Sequence, residues 1–395
     1  MTTTEIREKY TCLFGGGGAR GFAYCGTLEA LEKLNIDIEM IGGSSVGSIY
    51  SALYAAGYSP EELKEISKTV NFELFRDLHF GLGKDFALSK GDVFTNWLRE
   101  LLQKKVWKNN PEKKNTPVTF KDLKLPLIVI TTDITNFKCQ EFSPVETPDY
   151  DVAQAIRISC SMPGLMTPVN YKETKLVDGD LQKSMPMWKL SNTVKNNSNR
   201  VIEFRLEGDY TGKERNAIDF LNTIYSCMTN VGTEFIANIY RKNDRYECIK
   251  INTRSTIIVD FNMSKEARKD LFAIGYDETM NYFNNFLPLK RRFLYEKYKT
   301  LFILLKELDF AIISNSVNKS KRALGELFIE LSDCRDNIDE FIYADIIELK
   351  NMIKENIKPG LFSERLLNSN KISLELGKII DKVNHKVKDF GSKIK

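Results

Sequence analysis

Apolar positions in the first part of the chain switch between two periods. Tyr10 to Phe14 is a short apolar run that stops at a block of glycines, and from Phe22 to Leu34 apolar residues return at helical spacing through Ala23, Leu28 and Leu31. Ile36 to Ile41 predicts a second strand and Val46 to Ala56 a second helix. Strand, helix, strand, helix with short loops is the pattern of a parallel sheet covered on its faces. A helical region is expected from Pro60 to about Val106. "LPLIVITTD", Leu125 to Asp133, is rich in β-branched residues and uncharged until its end, which predicts a strand from Leu127 to Thr132 buried on both faces. Asp151 to Cys160 reads as a helix opened by its aspartate and followed by a break at Pro163 and Gly164. Val169–Val177 and Val201–Leu206 are strand-like, Asn216–Tyr240 is a long amphipathic helix, Cys248–Ile251 and Thr256–Phe261 are strands, and Lys265–Phe286 is a helix.

"FLPLKRR", Phe286 to Arg292, interrupts the periodicity with a proline and a basic cluster. Beyond it, Lys, Leu, Ile, Glu and Asn dominate at helical spacing, with breaks near Asn315 to Ser320 and at Pro359 and Gly360. The expected organisation is an α/β domain over 9–287 and an all-helical module over 288–395.

Composition narrows the class. Of 395 residues, 42% are hydrophobic and 28% charged, which suits a globular chain. The 57 basic residues nearly balance the 53 acidic ones, leaving a net charge of +4 and no large field for nucleic acid. No uncharged apolar stretch reaches the roughly 18 residues of a membrane span, and the polar start MTTTEIREKY carries no evident export signal. Seven scattered cysteines without a C-x-x-C spacing argue against a disulfide framework and a zinc site, and for a reducing compartment, here the cytoplasm.

Two glycine clusters carry the candidate chemistry. "FGGGGARGF", Phe14 to Phe22, places Gly16, Gly18 and Gly21 on a dinucleotide spacing, yet the acid expected about 20 positions later is missing from Ile41 to Ser45, with Glu39 a poor substitute inside the strand. "GGSSVGS", Gly42 to Ser48, lies between a strand and a helix, and Gly43, Ser45 and Gly47 fit G-x-S-x-G, the elbow that lifts a serine hydroxyl out of the backbone. Together the clusters suit acyl transfer. Ser45 attacks a carbonyl, and the backbone amides of Gly16, Gly17 and Gly18 meet the oxyanion. Arg20 either fixes that loop or contacts an anionic head group. The chain has two histidines, His79 and His385, and neither follows a strand end, so a carboxylate is expected to activate the serine directly. Asp178, in "KLVDGDLQ", ends a strand before a glycine and is the better candidate; Asp133 in "TTD" is its competitor.

On these residues the chain resembles the patatin-like phospholipases: "GGGGARG" as the oxyanion loop, "GGSSVG" as the elbow, "DGD" (Asp178 to Asp180) as the Asp-Gly-Gly or Asp-Gly-Ala element, and further "ISCSMPGLMTPV" and "ITTDIT". The resemblance covers about residues 9–287. It implies a three-layer α/β/α domain with a mostly parallel sheet. It also implies a Ser45–Asp178 dyad that hydrolyses lipid esters through an acyl-enzyme, without cofactor or metal, on membrane phospholipid or lysophospholipid met peripherally. Asp180 replaces a small residue, setting a second carboxylate near the base, and Ser184 stands where asparagine is common. Two roles remain open to other segments. The apolar face of Asp92–Trp107, with Trp97, Leu98, Leu101 and Leu102, is expected to pack inward rather than meet a bilayer, and 288–395 offers contact with a regulator or a second copy. The rival of another class is a protein of the same fold that binds lipid or a partner without turnover.

Overall fold

The computed structural model describes residues 8–70, 87–182, 200–208, 223, 246–254, 256, 263–335, 337–360 and 364–394. Among these the chain falls into two compact units, one up to Met280 and the other from Asn281 on. The expected helix Asn216–Tyr240, the expected strand Thr256–Phe261, His79 and Ser184 lie outside the described residues, apart from Thr223 and Thr256.

The first unit is built on a mixed, mostly parallel sheet with helices on both sides. Its strands are β1 (Lys9–Phe14), β2 (Asp37–Ser44), β4 (Leu127–Asp133), β5 (Lys138–Phe142), β7 (Val169–Tyr171), β8 (Thr174–Asp178), β9 (Arg200–Glu207) and β10 (Tyr246–Asn252); β3 (Ala87–Ser89) and β6 (Gly164–Met166) pair apart from it. The order is β10-β9-β1-β2-β4-β8-β7, with β5 on the other edge of β4. Strands β10, β9, β1, β2 and β4 run parallel, while β5, β7 and β8 join antiparallel. Every residue of β4 is buried, as its uninterrupted apolar run requires of a strand covered on both faces.

Helices α1 (Ala23–Lys33), α2 (Val46–Ala55), α3 (Pro60–Thr69), α4 (Asp92–Val106), α5 (Val152–Ser159) and α6 (Lys265–Asn281) supply the covering layers. Their starts follow capping chemistry. Ser59 and Glu62 form a reciprocal capping box before α3, and Asp151 accepts the N–H of Ala153 to open α5. Helix α4 buries Phe94, Leu98 and Leu102, so the Asp92–Trp107 face packs inward.

Two expectations need correction, and one element is new. The region Pro60–Val106 is not helical throughout, because β3 precedes α4. Val169–Val177 is a hairpin rather than one strand, turning where Lys172 takes a φ of 53°. Strand β5 is an addition, joined to β4 by a turn in which Phe137 has a φ of 54°.

The second unit opens with a π-helical turn, Tyr282–Phe286. Helices α7 (Leu287–Ile313), α8 (Val317–Cys334), α9 (Glu340–Asn356) and α10 (Ser369–Ser392) follow. The expected break near Asn315 falls between α7 and α8. The module is not wholly helical, because β11 (Ile357–Pro359) and β12 (Glu364–Leu366) form a short antiparallel ladder where Pro359 ends the helical pattern. Its core uses one stripe per helix, with Leu301, Leu305, Leu308 and Ile312 of α7 packed with Leu327, Ile346, Leu376 and Val383.

Candidate active site

Strand β2 runs on through Gly42, Gly43 and Ser44 instead of stopping at Ile41, and it hands the chain directly to Ser45 at the N-terminus of α2. Ser45 has φ 49° and ψ −127°, a positive-φ conformation that costs a residue with a side chain about 1–3 kcal/mol. Its surroundings over-determine that conformation. The Ser45 N–H donates to Ser159 Oγ at 2.9 Å, the Ser159 hydroxyl donates to the Ile130 carbonyl at 2.6 Å, and Ser48 Oγ donates to the Ser45 carbonyl at 2.6 Å. The two elbow glycines are dictated by space. A Cβ on Gly43 would lie 2.3 Å from the Gly47 carbonyl carbon, and one on Gly47 would lie 2.0 Å from the Phe14 oxygen.

Strand register brings Asp178 to the same place. On one edge of β4, β5 pairs with Val129–Asp133; on the other, β2 pairs up to Ser44↔Ile130 and β8 begins at Asp178↔Thr131. Strands β2 and β8 therefore meet end to end along a single edge, with Ser45 just past the end of one and Asp178 ending the other. Asp178 is buried; its N–H donates to the Ser161 carbonyl at 3.0 Å, and its Oδ1 accepts the Asp180 N–H at 2.9 Å. The rival Asp133 is committed elsewhere. Its carboxylate accepts the Thr135 and Asn136 N–H groups and the Asn136 side-chain amide, bonds that hold it below the usual carboxylate range despite burial.

The glycine loop follows β1. The Gly15 N–H donates to the Phe204 carbonyl at 3.0 Å, and the buried Tyr24 hydroxyl donates to the Gly15 carbonyl at 2.8 Å. Gly17 and Gly18 take φ values of 149° and 57°, which explains the glycines at those two positions. Among the described residues no hydrogen bond takes up the N–H of Gly17 or Gly18, whereas the Gly16 N–H donates to Asp180 Oδ1 at 3.3 Å. The three amides are thus not equivalent. Arg20 is buried and its Nε donates to the Thr256 carbonyl at 2.8 Å. Glu39, the poor stand-in for a ribose-binding acid, pairs with Lys9 at 3.2 Å. Among the described residues no cluster of histidine, cysteine and carboxylate side chains could hold a metal ion.

Electrostatics act on the second carboxylate of Asp-Gly-Asp. Burial pushes the Asp180 carboxyl above its ordinary value, and Glu203 adds to the rise; the Gly16 N–H and Arg205 oppose it, as does the nearby Ser44 hydroxyl, which completes no hydrogen bond there. An acid with a raised folded-state pKa contributes stability that is present in acid and lost as pH rises through that pKa. Asp180→Asn is accordingly expected to gain stability over wild type at about pH 8 relative to about pH 4, as read from urea unfolding at each pH. Burial, and next Asp178, push the Cys160 thiol well up, which disfavours its thiolate.

Sequence reasoning missed Ser159. It lies within the quoted "ISCSMPGLMTPV", but nothing in its spacing says that its hydroxyl links the Ser45 backbone to β4. Ser159→Ala would strand the Ser45 N–H and the Ile130 carbonyl, and a loss of about 1–3 kcal/mol is expected in thermal or urea unfolding.

Residues 13–190 match the family described as Patatin-like phospholipase. YqhO of Bacillus subtilis is 25% identical over 288 residues, 68% of this chain and 95% of its own. R571 of Acanthamoeba polyphaga mimivirus is 28% identical over 274 residues, 66% of this chain and 89% of its own. In three dimensions the chain is similar to VipD from Legionella pneumophila, with a TM-score of 0.54 at 14% identity, over 97% of this chain and 88% of VipD, which is a likeness of fold.

Proposed function

With residues 13–190 matching the patatin-like phospholipase family, we propose that this lipase-type hydrolase cleaves ester bonds of membrane phospholipids or lysophospholipids, with Ser45 as nucleophile and Asp178 as base. The observation that carries the reading is the end-to-end meeting of β2 and β8 on β4, which sets a strained, half-buried serine beside a buried strand-end aspartate. Ser45 Oγ attacks the ester carbonyl while Asp178 takes its proton. The carbonyl oxygen becomes an oxyanion, and the unengaged N–H groups of Gly17 and Gly18 receive it. The C–O bond to the leaving alcohol then breaks, the alcohol takes the proton from Asp178, and the acyl group stays on Ser45. Water, deprotonated by Asp178, attacks the acyl-enzyme, releases the fatty acid and restores the serine.

Lipid reaches the site by peripheral contact from the cytoplasm, and residues 288–395 supply contact with a regulator or a second copy. No described helix is long and apolar enough to cross a membrane. The test is labelling of the full chain with a fluorophosphonate probe in the presence of phospholipid vesicles, alongside mass spectrometry of released lipid. Labelling and fatty-acid release that both disappear in Ser45→Ala are expected. Absence of labelling in wild type would favour the non-catalytic rival, and labelling that survives Ser45→Ala would move the nucleophile to another residue.

A further inference from the structure

We infer that Asp180 is a positioning residue that ties the glycine loop to the base; this rests on the reading of Ser45 and Asp178 as the catalytic pair. Two hydrogen bonds of one residue carry it. Asp180 Oδ1 accepts the N–H of Gly16, which is 164 positions away in sequence, and the Asp180 N–H donates to Asp178 Oδ1. The carboxyl also lies close against the loop. A Cβ built on Gly16 would fall 1.7 Å from Asp180 Oδ2 and 2.5 Å from its Cγ, so a side chain at 16 and a carboxyl at 180 exclude one another. The family pattern that the chain resembles has a small residue at this position, which offers no such bond.

The consequence for catalysis is a division of labour among three adjacent amides. The Gly16 N–H is the anchor, and Gly17 and Gly18 remain for the oxyanion. Because oxyanion donors act only when held in place before the reaction, a loop cut from its anchor loses transition-state stabilisation more than substrate affinity. Burial raises the pKa of the carboxyl, yet the neutral acid keeps an acceptor oxygen, and an asparagine would keep one too.

The experiment compares Asp180→Ala and Asp180→Asn with wild type in the full chain, using a soluble p-nitrophenyl ester and thermal unfolding. Asp180→Ala is expected to lower kcat by about 10- to 100-fold at nearly unchanged KM, while Asp180→Asn stays within about threefold of wild type. If Asp180→Ala unfolds, Asp180→Ser, with a shorter polar side chain, carries the same expectation. Wild-type kcat in the alanine or serine variant, an equal fall in Asp180→Asn, or a rise in KM at constant kcat would each overturn the inference. Ser45→Ala separates the levels. If it still hydrolyses the ester, the catalytic reading fails and takes this inference with it; if it is inactive while Asp180→Ala is unimpaired, this inference alone fails.

Discussion

Ser45→Gly is expected to abolish hydrolysis and fluorophosphonate labelling while raising the melting temperature. The two signs have separate causes. Loss of the hydroxyl removes the nucleophile, for which a fall of about 10⁴-fold or more is usual in enzymes that form an acyl intermediate. Stability changes through the backbone, because φ 49° with ψ −127° is unfavourable for serine and open to glycine. Relief of about 1–3 kcal/mol of strain, less about 0.5–1 kcal/mol for the greater freedom of glycine in the unfolded chain, leaves a net gain near 1 kcal/mol. A rise of about 2–4 °C follows for a unit of this size. Ser45→Ala, which keeps the Cβ and the strain, should be equally inactive with an unchanged melting temperature. A glycine variant no more stable than the alanine variant would mean that the elbow stores no strain.

Asp178→Asn is expected to lower kcat by about 10³-fold while the protein stays folded. Asparagine keeps the shape and an acceptor for the Asp180 N–H, and it leaves the Asp178 N–H on the Ser161 carbonyl untouched, so the loss falls on the proton transfer. Asp133→Asn is the informative control. Its carboxylate holds a turn through Thr135 and Asn136, so hydrolysis should change by no more than about threefold while thermal stability falls. Reversal of the two results would move the base to the other strand end.

Apolar period made the parallel half of the sheet legible, most plainly at β1 and β4, whose apolar runs are buried almost throughout. Glycines exposed the elbow and the loop, since only glycine fits where Gly43 and Gly47 close on neighbouring backbone. The antiparallel half was hidden for the converse reason. The β4–β5 and β7–β8 turns place Phe137 and Lys172 in left-handed conformations, and neither residue type signals a turn. The partners of the site were hidden as well. Ser159 is one serine among several in its segment until the register of β4 shows its hydroxyl spanning Ser45 and Ile130, and the Gly16–Asp180 bond joins residues that no local pattern connects.

Junction of β2 and β8 on β4 also fixes when, during synthesis, the chemistry becomes available. A nascent chain emerging from the ribosome carries the proposed nucleophile, Ser45, early, on the first β-α-β-α segment, but the residue proposed as base arrives only with β8. The glycine loop gains a second tether later still, once Phe204 of β9 accepts the Gly15 N–H. Polypeptides stalled before β8 therefore present a serine without that aspartate and without the Asp180 tether on Gly16, so they should not react with a fluorophosphonate. A site assembled this way stays incomplete in every chain cut short before Asp178.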